Sequence, residues 1–146
     1  MKNLAFAFLA ALLAVNVYRA CTQSIVHDEA YTYHVYLDAP VSTLFELYDA
    51  NHHILYTFLA KLCVVVFGPT EWSLRLPSLA AGALYFFTVY RLSLLLFPET
   101  ASFLLSVLLL SLNPLVLDFL VAARGYGMAL ALALCCRLRP CCMCSS

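Results

Sequence analysis

Charged residues are scarce in this chain of 146 residues, at 11% against about 25% in an average soluble domain. The eight basic and eight acidic side chains cancel, so the chain lacks the basic field that nucleic-acid binding requires. Only four glycines and six prolines are present, which excludes a collagen-like or low-complexity chain. These shortages exclude an ordinary soluble domain, and we expect no nucleic-acid partner.

Apolar residues fill the space that charge leaves, at 64% of the chain and a mean hydropathy of +0.91. These apolar residues are grouped in successive stretches. As helices, the longer stretches approach or exceed the length needed to cross a bilayer. The composition therefore predicts an all-α, polytopic transmembrane helix bundle with four to five spans in an inner or plasma membrane. The stretches are Leu4–Tyr18, Ile54–Phe67, Leu76–Phe97, Ala101–Ala123 and Tyr126–Cys136.

The first apolar stretch is predicted to be an uncleaved helix rather than a removed signal peptide. Asn16, Tyr18 and Arg19 make a poor cleavage site, which prefers small residues. Lys2 favours a cytoplasmic N-terminus, which places the polar stretch 19–53 outside. If every apolar stretch crosses the membrane, alternation puts Arg91 outside as well. Arg91 and Arg75 are both interpreted as flanks at the membrane interface.

The polar stretch 19–53 contains five of the eight acidic residues and all four histidines. Asp28-Glu29 supports two interpretations. The acids can stabilise the start of a short amphipathic helix over 30–37 on the membrane surface, which the spacing alone favours, or serve as a general base or metal ligands. His27, His34 and Asp38 fall near one helical face, but a structural zinc site needs four ligands. We assign no metal ligand and leave a divalent metal open.

Two charges lie within predicted spans, where a charged side chain costs roughly 2.5–3.5 kcal/mol. Lys61 and Asp118 are these residues, and a Lys61–Asp118 pair would offset the cost. The two charges within spans are also the basis of a transporter hypothesis, which ranks last because paired broken helices are missing from the sequence. Arg124 ends the fourth stretch as an anchor or as a phosphate contact.

Four short motifs, in order, resemble the GT-C integral membrane glycosyltransferases. The resemblance is to the branch that groups lipopolysaccharide-core sugar transferases, dolichyl-phosphate-mannose protein mannosyltransferases and aminoarabinose transferases. Each motif is weak alone, but the four together cover residues 1–134, which we interpret as one membrane domain. They are Asp28-Glu29-Ala30-Tyr31, Asn51-His52 with Leu55-Tyr56, the turn 67–79 (Phe-Gly-Pro-Thr-Glu-Trp-Ser-Leu-Arg-Leu-Pro-Ser-Leu), and Ala123-Arg124-Gly125-Tyr126.

The resemblance implies a glycosyltransferase that moves a sugar from a polyprenyl-phosphate donor to an acceptor hydroxyl on the outer face. The acceptor is a lipid, a glycan or a protein. Asp28 is then the general base, and Glu29 is its partner in acceptor or metal contact. Substrate-binding candidates are Asn51, His52, Arg124 and Tyr126, with His52 and Arg124 near the donor phosphate.

The chain departs from this family pattern at two places. His53-Ile54 stands where the family has Pro-Pro, which removes two constraints on the helix start. The tail 135–146 carries five of the seven cysteines, and we expect it to be a frameshifted or truncated end of an N-terminal fragment. Metal binding or lipidation of this tail ranks below that. The alternative function is a small, non-catalytic membrane protein that binds or assembles with a partner.

Overall fold

The computed structural model describes residues 1–37, 39–40, 42, 53–98 and 100–143, and gives only the backbone of residues 28, 100 and 139–143. The described part consists of helices and their connections, without a β-strand, which confirms the all-α prediction. A π-helix over Tyr33–Leu37 directly follows α2. The helices are α1 (Lys2–Thr22), α2 (His27–Thr32), α3 (Ile54–Phe67), α4 (Glu71–Leu96), α5 (Thr100–Ser111), α6 (Pro114–Phe119) and α7 (Gly125–Met143).

Helix α4 is the central helix, and local sequence sets both of its ends. Gly68 has φ of +86°, a backbone conformation that favours glycine, so the chain can turn out of α3 there. Thr70 caps α4: its side chain accepts from the Ser73 amide at 3.3 Å, and Ser73 Oγ accepts from the Thr70 amide at 3.1 Å. The helix ends just before Pro98, which disfavours helical backbone in the residue preceding it.

Helix α4 packs against α1, α3, α5 and α7. Polar side chains join it to α5 within otherwise apolar surfaces. The Tyr85 hydroxyl donates to the Leu110 carbonyl at 2.7 Å, and the hydroxyls of Ser93 and Ser106 lie 2.5 Å apart. Interhelical hydrogen bonds of this kind contribute to helix association where lipid removes the hydrophobic driving force.

Two described helices are long and apolar enough to cross a membrane, α1 with 21 residues and α4 with 26. At 1.5 Å per residue they are about 31 and 39 Å long, against a hydrocarbon thickness of about 30 Å. The other apolar helices in the described part are shorter. The number of spans therefore stays a prediction.

The fourth apolar stretch is not one helix. Helix α5 ends at Ser111, and α6 begins at Pro114. Pro114 supplies no amide hydrogen and suits the first position of a helix. Asn113 caps α6, because its side-chain oxygen accepts from the Leu115 amide at 3.0 Å. The fourth apolar stretch 101–123 is therefore divided into two helices at Asn113-Pro114, the polar and proline interruption in its sequence.

Helix α3 crosses α4 near its start and does not run antiparallel along it. The Tyr56 hydroxyl, in the first turn of α3, donates to the Leu74 carbonyl at 2.7 Å. At the far end of α3, the rings of Phe67 and Trp72 are 6.2 Å apart. Both ends of α3 therefore contact the first turn of α4. With 14 residues, α3 is about 21 Å long, too short for a bilayer crossing.

This arrangement defines two ends of the bundle. At the Glu29 end, α4 begins beside Glu29 and the end of α1. At the Tyr90 end, the Tyr90 ring contacts Phe6 of α1 at 6.4 Å and Phe103 of α5 at 5.7 Å. Arg91 lies at the Tyr90 end. The structure therefore separates Arg91 from residues 19–29 of the polar stretch by the length of α4, whereas alternation of crossings groups the two. The side of the membrane on which Arg91 lies stays a prediction.

The placement of α3 makes a testable prediction about membrane sidedness. In a background without the native cysteines, Gln23→Cys and Pro69→Cys react with a membrane-impermeant maleimide from the same side of sealed vesicles. Phe97→Cys, at the far end of α4, reacts only after the vesicles are opened, or only from the other side. Labelling of positions 23 and 69 from opposite faces would show that α3 does cross the bilayer.

Candidate functional site

A buried ion pair lies at the centre of the Glu29 end. The Arg75 guanidinium on α4 binds the Glu29 carboxylate on α2 through two hydrogen bonds, Nε to Oε1 at 3.1 Å and Nη2 to Oε2 at 2.7 Å. Each side chain is only 2% exposed. This two-point geometry is the strongest form of carboxylate recognition available to arginine. It joins α2 to α4 across 46 residues of sequence.

The pair is fully hydrogen-bonded beyond its own two contacts. Arg75 also donates to the carbonyls of Ala20, Gln23 and Ser24, at 2.6 to 3.0 Å, so that all five of its N–H groups are used. These carbonyls end α1, where helix carbonyls have no partner within the helix. The sequence prediction of Arg75 as a simple interfacial flank is wrong.

The Glu29 carboxylate has no acceptor position left over. Besides the two bonds from Arg75, Oε1 accepts from the Ala123 amide at 2.8 Å and Oε2 from the Val26 amide at 3.1 Å. Burial alone would raise the pKa of Glu29, but the hydrogen bonds from Arg75 and the two amides, and the charge of Arg75, outweigh it. They hold the pKa of Glu29 below its ordinary value.

The segment 122–126 lies against the start of α4. Ser78 Oγ donates to the Ala122 carbonyl at 2.7 Å, and the Arg124 amide donates to the same carbonyl at 2.7 Å. Together with the bond from the Ala123 amide to Glu29, these contacts hold the backbone at Arg124 and immediately before it. The Arg124 side chain is half-buried. Glu29 thus bonds directly to the residue that precedes Arg124 and stands beside Asp28 in sequence.

His53 and Tyr126 bring the second and fourth sequence motifs together. Their rings meet edge to face, with centroids 4.6 Å apart. Gly125 makes this approach feasible, because a Cβ there would lie 2.4 Å from both Cβ and Cγ of His53. Tyr126 also packs on Phe119 at 5.2 Å. The Gly in Ala-Arg-Gly-Tyr is therefore a packing requirement.

The structure describes some of the predicted site residues with their side chains, one by its backbone only, and others not at all. Glu29, Arg124 and Tyr126 lie at the Glu29 end with described side chains. Asp28 lies in the first turn of α2, and only its backbone is described. Asn51 and His52 lie outside the described residues, directly before His53 in the chain.

The Lys61–Asp118 pair that the sequence left open does not form. Asp118 instead binds Arg19 at the end of α1, with Nη2 and Oδ1 2.6 Å apart. Lys61 donates to the carbonyls of Tyr36, at 3.4 Å, and Ala39. Lys61 on α3 thereby binds the end of the π-helix, where backbone carbonyls have no partner within the helix. The two charges on which the transporter hypothesis rested therefore bind separate groups.

Metal binding gains no support from the described side chains. No group of three or more His, Cys, Asp or Glu among them is arranged to hold a metal ion. Asp38, one of the three residues considered as ligands from sequence, lies outside the described part. His27 and His34 are both described, on α2 and on the π-helix.

The sequence analysis did not identify Arg75 as a site residue, although its side chain connects α4 to α2 and to the end of α1. One signal was available: a single arginine at the start of a long apolar helix needs a partner, and Glu29 is an acid in the polar stretch. The opposing charges are 46 residues apart, so spacing does not pair them. The candidate site brings the described parts of all four sequence motifs to one end of the bundle.

One family comparison matches the chain. The family model described as dolichyl-phosphate-mannose-protein mannosyltransferase matches residues 51–138, which is more than half of the 146 residues. The matched range includes Arg75, Arg124 and Tyr126, and it begins after Asp28 and Glu29. No curated protein and no solved structure matches the chain.

Removing one partner of the buried pair should destabilise the fold. We expect Arg75→Met to lower the free energy of unfolding by about 3–5 kcal/mol, because Glu29 is left buried without its cation. Arg19→Met is the matched control: its pair with Asp118 is partly exposed, and its loss costs no more than about 1 kcal/mol. Unfolding in mixed detergent micelles, followed by circular dichroism, measures both. Equal losses would contradict a central role for Arg75.

The lowered pKa of Glu29 makes this stabilisation depend on pH. A carboxylate with a lowered folded-state pKa stabilises the fold above its unfolded pKa, and the gain is lost as pH falls through the folded value. The stability difference between wild type and Glu29→Gln should therefore be largest near pH 7. It should narrow as the pH falls below the ordinary carboxyl value of 4.5. A constant difference from pH 7 to pH 3 would contradict this assignment.

Proposed function

Because the chain belongs to the dolichyl-phosphate-mannose-protein mannosyltransferase family of GT-C membrane glycosyltransferases, we propose that it transfers a sugar from a polyprenyl-phosphate donor to an acceptor hydroxyl. The transfer takes place at the Glu29 end, on the outer face of the membrane. The observation that carries the proposal is the convergence of four motif segments on one buried ion pair. Segment 67–79 contacts segments 28–29 and 53–56, and segment 123–126 contacts the same two segments through Glu29 and His53.

Asp28 is the general base of the proposed reaction, and Glu29 positions it. Glu29 has its four acceptor positions filled and a lowered pKa, both of which make it a poor proton acceptor. Anchoring Glu29 also holds the backbone of its neighbour Asp28 in the first turn of α2. The expected contact of Glu29 with acceptor or metal is thus replaced, in our proposal, by a positioning role.

Arg124 and His52 contact the donor phosphate in this proposal. A guanidinium matches phosphate oxygens in shape and charge, and the hydrogen bonds of the Ala123 and Arg124 amides keep the backbone at Arg124 in place. His52 precedes His53, which packs on Tyr126 beside Arg124. We assign Asn51 and Tyr126 to substrate contact at the same end.

An apolar groove supports a donor with a long isoprenoid tail. The groove, of about 520 Å³, lies between α3, α4 and α7 and is lined by apolar side chains and Cys63. It runs along one face of α3, from Leu55 to Phe67. Leu55 stands two residues from His53, and Met128 on α7 stands two residues from Tyr126. The groove therefore opens beside the proposed phosphate contacts.

The proposed reaction is a single displacement. The acceptor oxygen bonds to the anomeric carbon of the sugar, and the bond from that carbon to the phosphate oxygen breaks. Polyprenyl phosphate leaves with the electron pair, stabilised by Arg124. The Asp28 carboxylate takes the acceptor proton as attack proceeds, because an alcohol is too weak an acid to ionise first. The charge is balanced by protonation of Asp28.

Asp28→Asn tests the proposal directly. Membranes that contain the full chain receive dolichyl phosphate carrying radiolabelled mannose, and the label in protein-bound and lipid-bound fractions is counted. We expect Asp28→Asn to lower the initial rate by about 10²–10⁴-fold, the usual contribution of a general base. Glu71→Gln is the control, because this exposed carboxylate lies at the same end and should change the rate less than twofold.

Two outcomes would overturn the proposal. Transfer by Asp28→Asn at more than half of the wild-type rate would exclude Asp28 as the base. Absence of transfer by wild type, in membranes where a known mannosyltransferase is active with the same donor, would favour the non-catalytic alternative for this chain.

A further inference from the structure

Arg91 is a cation at the Tyr90 end that no described residue neutralises. Its side chain is exposed, and within the described ranges its guanidinium has neither a hydrogen-bond nor an ion-pair partner. It lies 16 residues after Arg75 on α4, or about 24 Å along the helix axis. A distance of 24 Å places Arg91 near the inner boundary of a hydrocarbon layer about 30 Å thick. An unpaired guanidinium at that depth favours an anionic partner.

An apolar groove leads from Arg91 towards the middle of the bundle. It lies between α1 and α4 and has a volume of about 320 Å³. Phe6 and Tyr90 lie at its Arg91 end, and Leu13 and Ala83 lie at the other. Between Phe6 and Leu13 the groove extends about 10 Å along α1. The groove runs in the direction that an acyl chain would take if its headgroup were bound at Arg91.

A second cavity lies on the opposite side of Arg91. It has a volume of about 300 Å³ and is lined by Arg91, Leu94, Leu95 and Leu138. Leu94 and Leu95 follow Arg91 along α4, so this cavity lies farther from the middle of the bundle than the guanidinium does. Arg91 thus lies between two cavities along the helix axis. The apolar groove extends from it towards the middle of the bundle, and the second cavity, which is large enough for a headgroup, extends towards the end of α4.

The described charges at the Tyr90 end are all positive. Lys2, Arg91 and Arg137 lie on the parts of α1, α4 and α7 that meet there. The carboxylates with described side chains are Glu29, Glu71 and Asp118, and all three lie at the Glu29 end. Basic pockets between transmembrane helices bind anionic lipid headgroups, and the end that carries these cations is the one that Lys2 places in the cytoplasm.

We propose that Arg91 and the α1–α4 groove form a binding site for an anionic diacyl phospholipid of the cytoplasmic leaflet. The phosphate binds the Arg91 guanidinium, one acyl chain occupies the groove, and the rest of the headgroup occupies the cavity beside Leu138. The site is about 24 Å from Arg75 and is separate from the proposed sugar-transfer site. It exists whether or not the chain transfers sugar.

Native mass spectrometry of the full chain tests this proposal. The purified protein is mixed in detergent with equal amounts of palmitoyl-oleoyl phosphatidylglycerol and phosphatidylcholine, and the bound lipids are counted by mass. We expect wild type to retain phosphatidylglycerol about fivefold more than phosphatidylcholine, as one basic residue at a membrane surface allows. Arg91→Gln should abolish that preference. Arg137→Gln, a cation at the same end that lines neither cavity, should leave it unchanged.

A second variant separates the groove from the charge. Ala83→Phe fills the groove and keeps Arg91, and it should lower retention of both lipids. Equal loss of preference in Arg91→Gln and Arg137→Gln would mean that diffuse charge attracts the lipid, and would overturn the site. Normal retention by Ala83→Phe would overturn the groove as the chain-binding element. Equal retention of both lipids by wild type would overturn the proposal as a whole.

Discussion

The bidentate contact between Arg75 and Glu29 is the interaction on which the organisation of this protein depends. A charge pair at 2% exposure is retained only when every hydrogen-bonding position is used, and here the five donors of arginine and the four acceptor positions of glutamate are all used. Because the partners come from α1, α2, α4 and the segment before α7, one ion pair sets the relative positions of four parts of the chain.

That constraint explains why the site lies at one end of the bundle. Asp28 adjoins Glu29, and Arg124 adjoins Ala123, whose amide binds the same carboxylate. A candidate base and a candidate phosphate contact are thus carried on backbone held by one group. At the opposite end, the helices meet through aromatic rings and serines, and the cations with described side chains there have no described carboxylate beside them. Within the described part of the chain, the two ends therefore differ: one holds a fully hydrogen-bonded ion pair, and the other carries cations alone.

Short helices between long ones were the main difficulty for prediction. The bounds of α3 agree with the apolar run Ile54–Phe67, yet both of its ends contact the first turn of α4, which hydropathy alone does not predict. In the same way, Ala101–Ala123 is apolar almost throughout, but Asn113-Pro114 divides it. Lys61 and Asp118 do find partners, as charges among apolar residues should, but each binds a different group from the one expected. Hydropathy indicates whether a segment is apolar enough to contact lipid. It does not indicate how the helix is oriented relative to its neighbours.

The sequence alone determined the all-helical class, the positions of the main apolar helices and the family resemblance, because these follow from local composition, periodicity and short motifs. It also marked Asp28, Glu29, Arg124 and Tyr126 as residues of one site. Only the tertiary structure decided that Arg75 holds the candidate site together, that both ends of α3 contact the first turn of α4, and that Arg91 is exposed at the other end of α4. Each of these depends on contacts between residues that are distant in sequence. A buried charge must be paired and hydrogen-bonded, and sequence spacing alone does not show which of several possible partners it binds.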